Sequence, residues 1–445
     1  MKFTKLGKAL MMSALSAGLI LGISSCVQSY TVGYLYVTGT VTAQTGNNGI
    51  ISGFRIDHNT GYLLPINRFP VASGGSNPIR AILLPGSRFM YVLNRGVNAN
   101  GNANCFGTTG NNVCQNANIT QYAVGGHGIL TPQETFFTQG LNPFRLINDT
   151  AGGYLLALDH DAPDPAACQL ALGPKVTSCA DVTVFKIDST TGRLSLVTNA
   201  QVTSASGKPL NYFPVPSNPI DFVMDQGFLL TLNGTPATGD SVFPYGYSSS
   251  SGQLTLSQNS SQPLGITQAT AIVSVGGSIY VPDNEPPNPN PNNSVSQVLI
   301  FTVGTAGALQ AQTGGIVPGD PTLADPVWVL QESKGKFVYV ASAANNPTNT
   351  SNPYPSGGIT GYSVTTAPTF QLSFTTPSTF GTGAGPQCMV EDPSDQYIYT
   401  ANILDSTVTG RIVDPNAGVL NTLRRGSKFN LAGPPTWCLI DGRTD

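Results

Sequence analysis

Charged residues and histidines are scarce in this sequence. Only 10% of its 445 residues are Asp, Glu, Lys or Arg, against roughly 25% in a typical globular protein, and three are histidine. The 20 Lys and Arg are balanced by 23 Asp and Glu, and the basic residues form no stripe along the chain. Because nucleic-acid binding depends on clustered positive charge, nucleic acid is not an expected partner.

Long helix-forming runs are missing too, whereas turn-forming residues are abundant. The chain contains 50 Gly and 34 Pro, which interrupt the stretches that helix-forming residues would otherwise build. An apolar fraction of 40% at a formal net charge of −3 excludes intrinsic disorder and provides for a large core. The composition therefore predicts a large, turn-rich, all-β protein.

The N-terminus has the features of an export signal. Three lysines within the first eight residues precede an uncharged, weakly apolar run at 9–22, which is shorter than the roughly 20 residues of a membrane span. Residues 23–26 (Ile-Ser-Ser-Cys) resemble the bacterial lipobox, in which an aliphatic and two small residues precede a cysteine that is acylated and becomes the new N-terminus. We expect residues 1–25 to be a lipoprotein signal peptide, Cys26 to be lipidated, and residues 26–33 to be a short tether.

Lipidation would make the membrane a partner of this chain. Anchoring by several acyl chains is stable, whereas a single chain binds only reversibly. Val27 rather than Asp follows the cysteine, which by resemblance to Gram-negative lipoproteins implies an outer-membrane location, on the periplasmic or the surface side. The alternative is an ordinary signal peptide in which Cys26 is incidental.

Seven copies of one strand pattern follow. Each copy has a Pro-led strand (A), an apolar strand usually centred on Tyr (B), a strand often containing an aromatic residue (C), and a strand (D) after a turn that is usually Gly-x-Leu. In four copies the strand-A proline lies 13 residues before the centre of strand B, as from Pro78 to Tyr91. In the fifth copy Ala269 replaces the proline. The strand-B patterns lie at 34–37, 90–92, 155–157, 229–231, 279–281, 338–340 and 398–400.

The two ends of the repeat region are complementary. The region begins with a strand B at 34–37 and finishes with an unpaired strand A at 437–441. Pairing these strands would complete one four-stranded unit from both termini and leave no exposed sheet edge. We therefore predict that residues 34–445 form an all-β, seven-bladed β-propeller, whose ring closes when the C-terminal strand pairs with the N-terminal blade.

The repeat is similar to that of a known family. The Pro-led strand, the Tyr-Val-x-Asn strand and the Phe-x-Ile-Asp-x-x-Thr-Gly-x-Leu strand resemble those of lactonase-type seven-bladed propellers, which include 6-phosphogluconolactonase-like and carboxymuconate-cyclase-like proteins and Tyr-Val-Thr-Asn surface repeats. For the enzymes, the resemblance implies His, Arg and Glu at the channel mouth, with a His or Arg often following the strand-A proline. That position here is occupied by residues that are neither general acids nor bases: Ile79, Phe144, Ile220, Thr270, Val327, Gln387 and Thr436.

The long connections are expected on one side of the disc. In an up-and-down blade the B–C and D–A connections emerge on the same face, and these are the long ones, as at 98–118 and 160–180. We call this side the elaborated face, and the side with the short A–B and C–D turns the plain face. Because loops on one face of a rigid scaffold often bind ligands, we expect a protein, glycan or small molecule at the channel mouth there. Neutral variation of exposed loops is the alternative.

The residues two positions after the start of strand A are candidates for this site. Arg80 and Arg145 could bind a carboxylate or phosphate in bidentate fashion, or pair structurally with Asp149 or Asp221. The ligand-binding candidates are Arg80, Arg145, Asp221, Trp328 and Trp437.

Two further candidates come from the long loops. His160 lies between two aspartates at the end of a strand B, where it fits a general base, a metal ligand or a solvated loop residue. Glu285 is an acidic candidate in a Pro- and Asn-rich loop. A catalytic set would therefore consist of His160, Arg80, Arg145 and Glu285.

Six cysteines lie within the predicted propeller. Two pairs share single B–C loops and lack the spacing of zinc ligands, so we expect disulfides and neither a metal nor another cofactor. For Cys388 and Cys438, on strands A of neighbouring blades, a third disulfide and two buried free thiols are both compatible with the sequence. The expected pairs are Cys105 with Cys114 and Cys168 with Cys179.

Three functions are compatible with these features. The first is a cell-envelope lipoprotein whose lactonase-like propeller binds a partner, glycan or small ligand without catalysis. The second, implied by the resemblance, is a lactone hydrolase of the 6-phosphogluconolactonase type acting on a sugar lactone. The third is a structural component of a surface layer. The residues that follow the strand-A prolines favour the first.

Overall fold

The described chain is a seven-bladed β-propeller. The computed structural model describes residues 30–41, 48–84, 86, 88–103, 105–204, 206–235, 238–256, 261–349, 351, 356–366 and 370–443, so the predicted signal peptide and Cys26 lie outside them. These residues form seven antiparallel sheets of four or five strands, one for each blade, which confirms the predicted fold. No helix in the described ranges is long and apolar enough to cross a membrane.

Strand A of each blade lies against strands A of neighbouring blades and forms the wall of the channel. From blade 1 to blade 7, strands A are Pro435–Asp441, Pro78–Leu83, Leu141–Asn148, Pro219–Asp225, Val273–Val275, Leu323–Gln331 and Pro386–Glu391. Strands B are Thr31–Thr40, Phe89–Asn94, Tyr154–Asp161, Phe228–Asn233, Ser278–Asp283, Phe337–Asn345 and Tyr397–Asn402. Strands C are Gly49–Asp57, Asn118–Val124, Ala180–Ile187, Ser241–Tyr247, Gln297–Val303, Gly358–Thr365 and Thr407–Val413.

Strand D is interrupted in four blades, a feature that the repeat pattern does not reveal. As the outermost strand it has one neighbour, so a break sacrifices few ladder hydrogen bonds. It is continuous at Leu130–Phe136, Leu309–Pro318 and Gln371–Phe380 in blades 2, 5 and 6. The split strands are Leu63–Pro65 with Val71–Ala72, Leu194–Leu196 with Phe213–Val215, Leu254–Leu256 with Gln262–Pro263, and Leu420–Thr422 with Lys428–Asn430.

The ring closes as predicted. Strand B of blade 1 pairs antiparallel with the C-terminal strand A, where Tyr36 lies opposite Leu439 and Val37 opposite Cys438. This strand B begins at Thr31, before the predicted start at residue 34, so its first residues belong to the propeller rather than to a tether.

Hydrogen bonds between neighbouring blades explain the Tyr and Gly of the repeat. The Tyr36 hydroxyl of blade 1 donates to the carbonyl of Gly128 in the C–D turn of blade 2, and that of Tyr399 in blade 7 donates to Gly61 of blade 1, each at 2.7 Å. Gly61 has a φ of +65°, and a Cβ there would lie 2.3 Å from the Tyr397 ring, so only glycine fits. The equivalent bonds elsewhere join Tyr91 to Gly192 and Tyr339 to Gly418.

Insertions stabilised by disulfides lie on the elaborated face. Helix α1, Pro165–Leu172, lies in the B–C connection of blade 3, and the Asp164 carboxylate caps it by accepting a hydrogen bond from the Ala166 N–H. The two expected disulfides are present, within the B–C connections of blades 2 and 3. Cys388 and Cys438 are also bonded and join strands A of blades 7 and 1, so these two residues are not free thiols.

Short 3-10 turns occur at Gly110–Asn112, Gly126–Gly128 and Thr305–Gly307.

Candidate functional site

The predicted ligand-binding residues meet in the central channel. In six blades the pairing of strands A and B shifts register at the start of strand A, as between Pro78 and Arg80. Such a bulge re-aims the side chains beside it. The five side chains that follow these starts and line the channel together are Arg80, Arg145, Asp221, Trp328 and Trp437.

Arg80 lies over the face of Trp437. Its guanidinium carbon is 3.6 Å from the centroid of the Trp437 ring and 5.5 Å from that of Trp328. The two indoles meet edge to face, with centroids 4.8 Å apart. Because the Arg80 side chain is only 9% exposed, this cation–π contact is largely shielded from water and correspondingly strong. Blades 1, 2 and 6 therefore contact one another across the channel.

Asp221 is shared by the two arginines. Its Oδ1 lies 3.1 Å from Nε of Arg145 and 3.7 Å from Nη2 of Arg80. The same carboxylate accepts backbone hydrogen bonds from Phe222 at 3.0 Å and Ile272 at 3.4 Å. Burial lowers the pKa of Arg80 to about 9, with a further decrease from the neighbouring charge of Arg145, while Asp221 opposes both. Arg80 thus keeps its charge at neutral pH, and the channel lining carries two positive groups for one negative group.

This layer of side chains separates two chambers. On the side of the plain face lies a cavity of about 330 Å³, whose wall is mainly aliphatic and includes Ile82, Ile147 and Val273. On the side of the elaborated face lies a more polar cavity of about 150 Å³. The sequence predicted a ligand at the elaborated mouth, but the larger cavity is on the opposite side.

Residues that directly follow the strand-A prolines, or Ala269 in blade 5, line the smaller chamber. Thr270, Gln387 and Thr436 contribute its polar groups. The Thr436 hydroxyl donates to the carbonyl of Pro78 in the adjacent strand A, so this threonine also joins neighbouring blades.

His160 lies outside the channel, on the elaborated side of blade 3. Its Nδ1 is 3.0 Å from Oδ2 of Asp161, which also accepts hydrogen bonds from Asn142 at 2.7 Å and from the Gly107 N–H at 3.0 Å. Burial alone would raise the pKa of Asp161, but the hydrogen bonds from His160 and Asn142 hold it below its usual range. These contacts join the B–C connections of blades 2 and 3, and His160 lines neither chamber.

Glu285 is also away from the channel. Its carboxylate accepts hydrogen bonds from the backbone N–H of Thr267, at 3.0 Å, and from the hydroxyl of the same residue. The predicted catalytic set is therefore not brought together: Arg80 and Arg145 line the channel, whereas His160 and Glu285 stabilise loops on the elaborated face. The four side chains do not line a common chamber among the described residues.

The aliphatic wall of the larger chamber was not predicted from the sequence. Ile82, Ile147 and Val223 lie two residues after Arg80, Arg145 and Asp221 on their strands. Alternate residues of a strand face the same side, so the strand period provided the signal. Among the described residues, no group of three or more His, Cys, Asp or Glu could hold a metal ion.

Comparisons with known proteins agree on the architecture. No protein-family model and no curated protein matches the sequence. A Bacteroides fragilis protein assigned as a 6-phosphogluconolactonase is 15% identical and superposes with a TM-score of 0.64, over 92% of this chain and 98% of the other. The periplasmic gluconolactonase of Pseudomonas aeruginosa is 18% identical, with a TM-score of 0.60 over 92% and 99%. The fold is that of these propellers.

The comparisons do not extend to activity. A hypothetical selenium-binding protein from Sulfolobus tokodaii is 9% identical and superposes with a TM-score of 0.57, over 93% of this chain and 94% of its own. Proteins with different names therefore share this architecture, and at such low identities the likeness establishes the fold alone. The function must be argued from the channel.

Proposed function

We propose that the protein is a cell-envelope lipoprotein that binds a small carboxylate in its central channel without converting it. The observation that carries this proposal is the uncompensated positive charge between the two chambers, where Arg80 and Arg145 share one carboxylate, that of Asp221. A ligand carboxylate would restore the charge balance and accept charge-assisted hydrogen bonds from a guanidinium group. Arg145 is the accessible donor, because its side chain is 26% exposed.

The larger chamber suits the remainder of such a ligand. Its volume of about 330 Å³ is at the lower end of the roughly 300–1,000 Å³ of small-molecule sites. Its aliphatic wall favours an apolar body, while Asn148, Thr150 and Ser274 supply a few polar groups. The ligand class is therefore a carboxylate with a compact apolar or amphipathic body.

The chemistry of the channel favours binding over catalysis. Asp221 is the one carboxylate that lines the described chambers, and two arginines and two backbone N–H groups engage it. These donors engage the carboxylate, so it is not free to take a proton from a water molecule or a substrate. His160 lines neither chamber and is paired with Asp161, so it does not replace Asp221 there.

The envelope location is supported by the N-terminal sequence and by the three disulfides. Disulfides persist in oxidising compartments such as the periplasm and the cell surface. The lipobox-like segment and Val27 favour a lipid anchor at Cys26 in the outer membrane.

A lactone hydrolase of the 6-phosphogluconolactonase type is the second candidate, because three solved propellers that superpose with a TM-score of 0.60 or above bear lactonase names. In that case Asp221 would have to act as the general base. A pH-stat assay with gluconolactone, on wild-type, Asp221→Asn and His160→Ala proteins, separates the two functions. We expect no hydrolysis above the uncatalysed rate. Acceleration that is lost in Asp221→Asn and kept in His160→Ala would establish the hydrolase instead.

A further inference from the structure

The chain enters the propeller at the plain face. Tyr30, the first described residue, stacks on the ring of His58 with centroids 4.3 Å apart, and its carbonyl accepts a hydrogen bond from the His58 N–H. His58 belongs to the C–D turn of blade 1, which is on the plain face. The position of Tyr30 therefore fixes where any N-terminal anchor attaches to the disc.

The distance from the anchor to the disc is short. Tyr30 lies four positions after Cys26, and a fully extended chain spans at most about 14 Å over four such steps. A lipid on Cys26 would hold this part of the plain face within that distance of the bilayer. The elaborated face, on the other side of the disc, would then point away from the membrane.

A cationic groove lies beside this point of entry, between blades 1 and 2. It has a volume of about 570 Å³, and its exposed lining includes Arg55, Arg68, His127 and Ile129. Among the described residues, no carboxylate forms an ion pair with Arg55 or Arg68. Two guanidinium groups are thus available to an external anion.

The acidic residues at the plain-face end of blade 1 are directed inward. Asp57 is 7% exposed, and Asp441 is fully buried and pairs with Arg443 at 2.9 Å. Arg88, in the A–B turn of blade 2, is exposed as well. The surface around the groove is therefore cationic, and Tyr30, which is 52% exposed, adds an aromatic ring of the kind found at membrane interfaces.

We propose that this groove docks on the anionic phospholipid headgroups of the membrane that anchors Cys26, so that the plain face lies against the bilayer. The inference rests on the lipid anchor of the proposed function. Acyl chains and a basic patch are the two signals that commonly act together in membrane attachment. A span of at most about 14 Å keeps Tyr30, the point of entry, within two Debye lengths of the surface, since one Debye length is about 8 Å at physiological ionic strength. The larger chamber would then open toward the membrane, so its ligand would arrive from that side.

Vesicle binding by the unacylated protein tests the groove independently of the anchor. A soluble form beginning at residue 27 should bind vesicles containing phosphatidylglycerol but not pure phosphatidylcholine, and high salt should release it. The double variant Arg55→Gln/Arg68→Gln should bind at least about tenfold more weakly, because two charges near an anionic surface are lost. The control is Lys175→Gln/Lys208→Gln, which removes the same charge from the elaborated side of blade 3 and should bind like wild type. Equal loss in both double variants, or no binding to anionic vesicles, would overturn the proposal.

The orientation is tested on the acylated protein in phosphatidylglycerol-containing vesicles. A fluorophore at Asn59→Cys, in the exposed C–D turn of blade 1, should be quenched by headgroup-labelled nitroxide lipids, whereas one at Asn292→Cys on the elaborated face should not. Equal or reversed quenching would contradict the inferred orientation while leaving the anchor itself intact. Failure of the wild-type protein to become acylated would instead refute the lipoprotein assignment, and the vesicle experiment would still decide the fate of the groove.

Discussion

Asp159 and Asp181 face each other directly on strands B and C of blade 3, and both are fully buried. Neither oxygen of Asp181 accepts a hydrogen bond from the described residues, and Oδ1 of Asp159 accepts none either. Burial raises the pKa of Asp159 to about 7. Burial, and then repulsion from Asp159, raises the pKa of Asp181 well above its usual range. The pair therefore holds at least one proton at neutral pH.

This pair should make the stability of the protein fall as the pH rises. A carboxyl with a raised pKa in the folded state binds its proton more tightly there than in the unfolded chain, so stability is lost as the pH rises from about 4 through about 7. Asp181→Asn provides a neutral partner, like that in blade 5, where the Gln297 amide donates to Asp283 at 2.8 Å. We expect Asp181→Asn to raise the free energy of unfolding at pH 7.5 by about 1–3 kcal/mol, measured by urea denaturation. At pH 4.5 the variant and wild type should have similar free energies of unfolding.

Asp164→Asn is the control for that experiment, because asparagine caps helix α1 as well as aspartate does. Its stability should follow that of wild type at both pH values. A wild-type protein whose stability does not decrease between pH 4.5 and 7.5 would show that the pair is not protonated as described.

The contact between blades 7 and 1 depends on Gly61. A Cβ at this position would overlap the Tyr397 ring, whereas at Gly227, which also has a positive φ, nothing lies within 4 Å. Both Gly61→Ala and Gly227→Ala place an alanine in the left-handed conformation, at a similar cost in stability. The difference between their free energies of unfolding therefore reports the packing at the interface. We expect Gly61→Ala to be the less stable variant by about 1–3 kcal/mol, measured by urea denaturation. Equal stabilities would rule out this interface as a tight contact.

The disulfide between Cys388 and Cys438 should stabilise the closed ring. It constrains a loop of 50 residues, which in the chain-entropy description corresponds to about 4 kcal/mol. The double variant Cys388→Ala/Cys438→Ala should lower the midpoint of global unfolding strongly. Cys105→Ala/Cys114→Ala opens a loop on the elaborated face, so it should affect proteolysis of that loop more than the global midpoint. A lower unfolding midpoint for Cys105→Ala/Cys114→Ala than for Cys388→Ala/Cys438→Ala would contradict the role of the Cys388–Cys438 disulfide in stabilising the closed ring.

The lipid anchor predicts a simple change in fractionation. Cys26→Ala should move the protein from the membrane fraction to the soluble fraction in high salt, which weakens attraction between the cationic groove and lipid headgroups. Low-salt extraction of the same variant is the control, since residual electrostatic binding persists there. Membrane association of Cys26→Ala that resists high salt would argue against acylation.

The architecture was accessible from the sequence because each blade repeats the same local requirements. The 13-residue spacing from Pro78 to Tyr91 recurs because each strand A must turn directly into strand B. The strand A at the C-terminal end of the repeats had no following strand B to pair with. The first strand B had no preceding strand A, so these two strands were expected to pair. Both conclusions depend only on strand period and edge pairing.

The site could be predicted only in part, because the repeat pattern does not specify the strand register or how far each side chain lies from the channel. Arg80 and Trp437 could be selected from the sequence because each lies two residues after a strand-A proline. The bulge that brings their side chains into contact is visible only in the pairing of strands A and B. His160 was indistinguishable from a general base until its bond to Asp161 placed it in a contact between loops. Asp159 and Asp181 lie opposite each other because of the register of strands B and C. A long connection joins these two strands, so the sequence alone does not reveal their register.

Binding of a carboxylate in the channel can be observed through its tryptophans, because the chain contains two and both line the chambers. The most direct measurement is a titration of the soluble protein with octanoate, and in parallel with gluconate, followed by intrinsic tryptophan emission. We predict a saturable change in emission with octanoate, whose apolar body suits the aliphatic chamber, and a weaker response to the hydrophilic gluconate. Affinity for octanoate should be weakened about tenfold by Arg145→Gln, which removes a charge-assisted hydrogen bond, and unchanged by Lys175→Gln. Emission that does not respond to either carboxylate, or equal affinity in the two variants, would contradict the assignment of the channel as a carboxylate site.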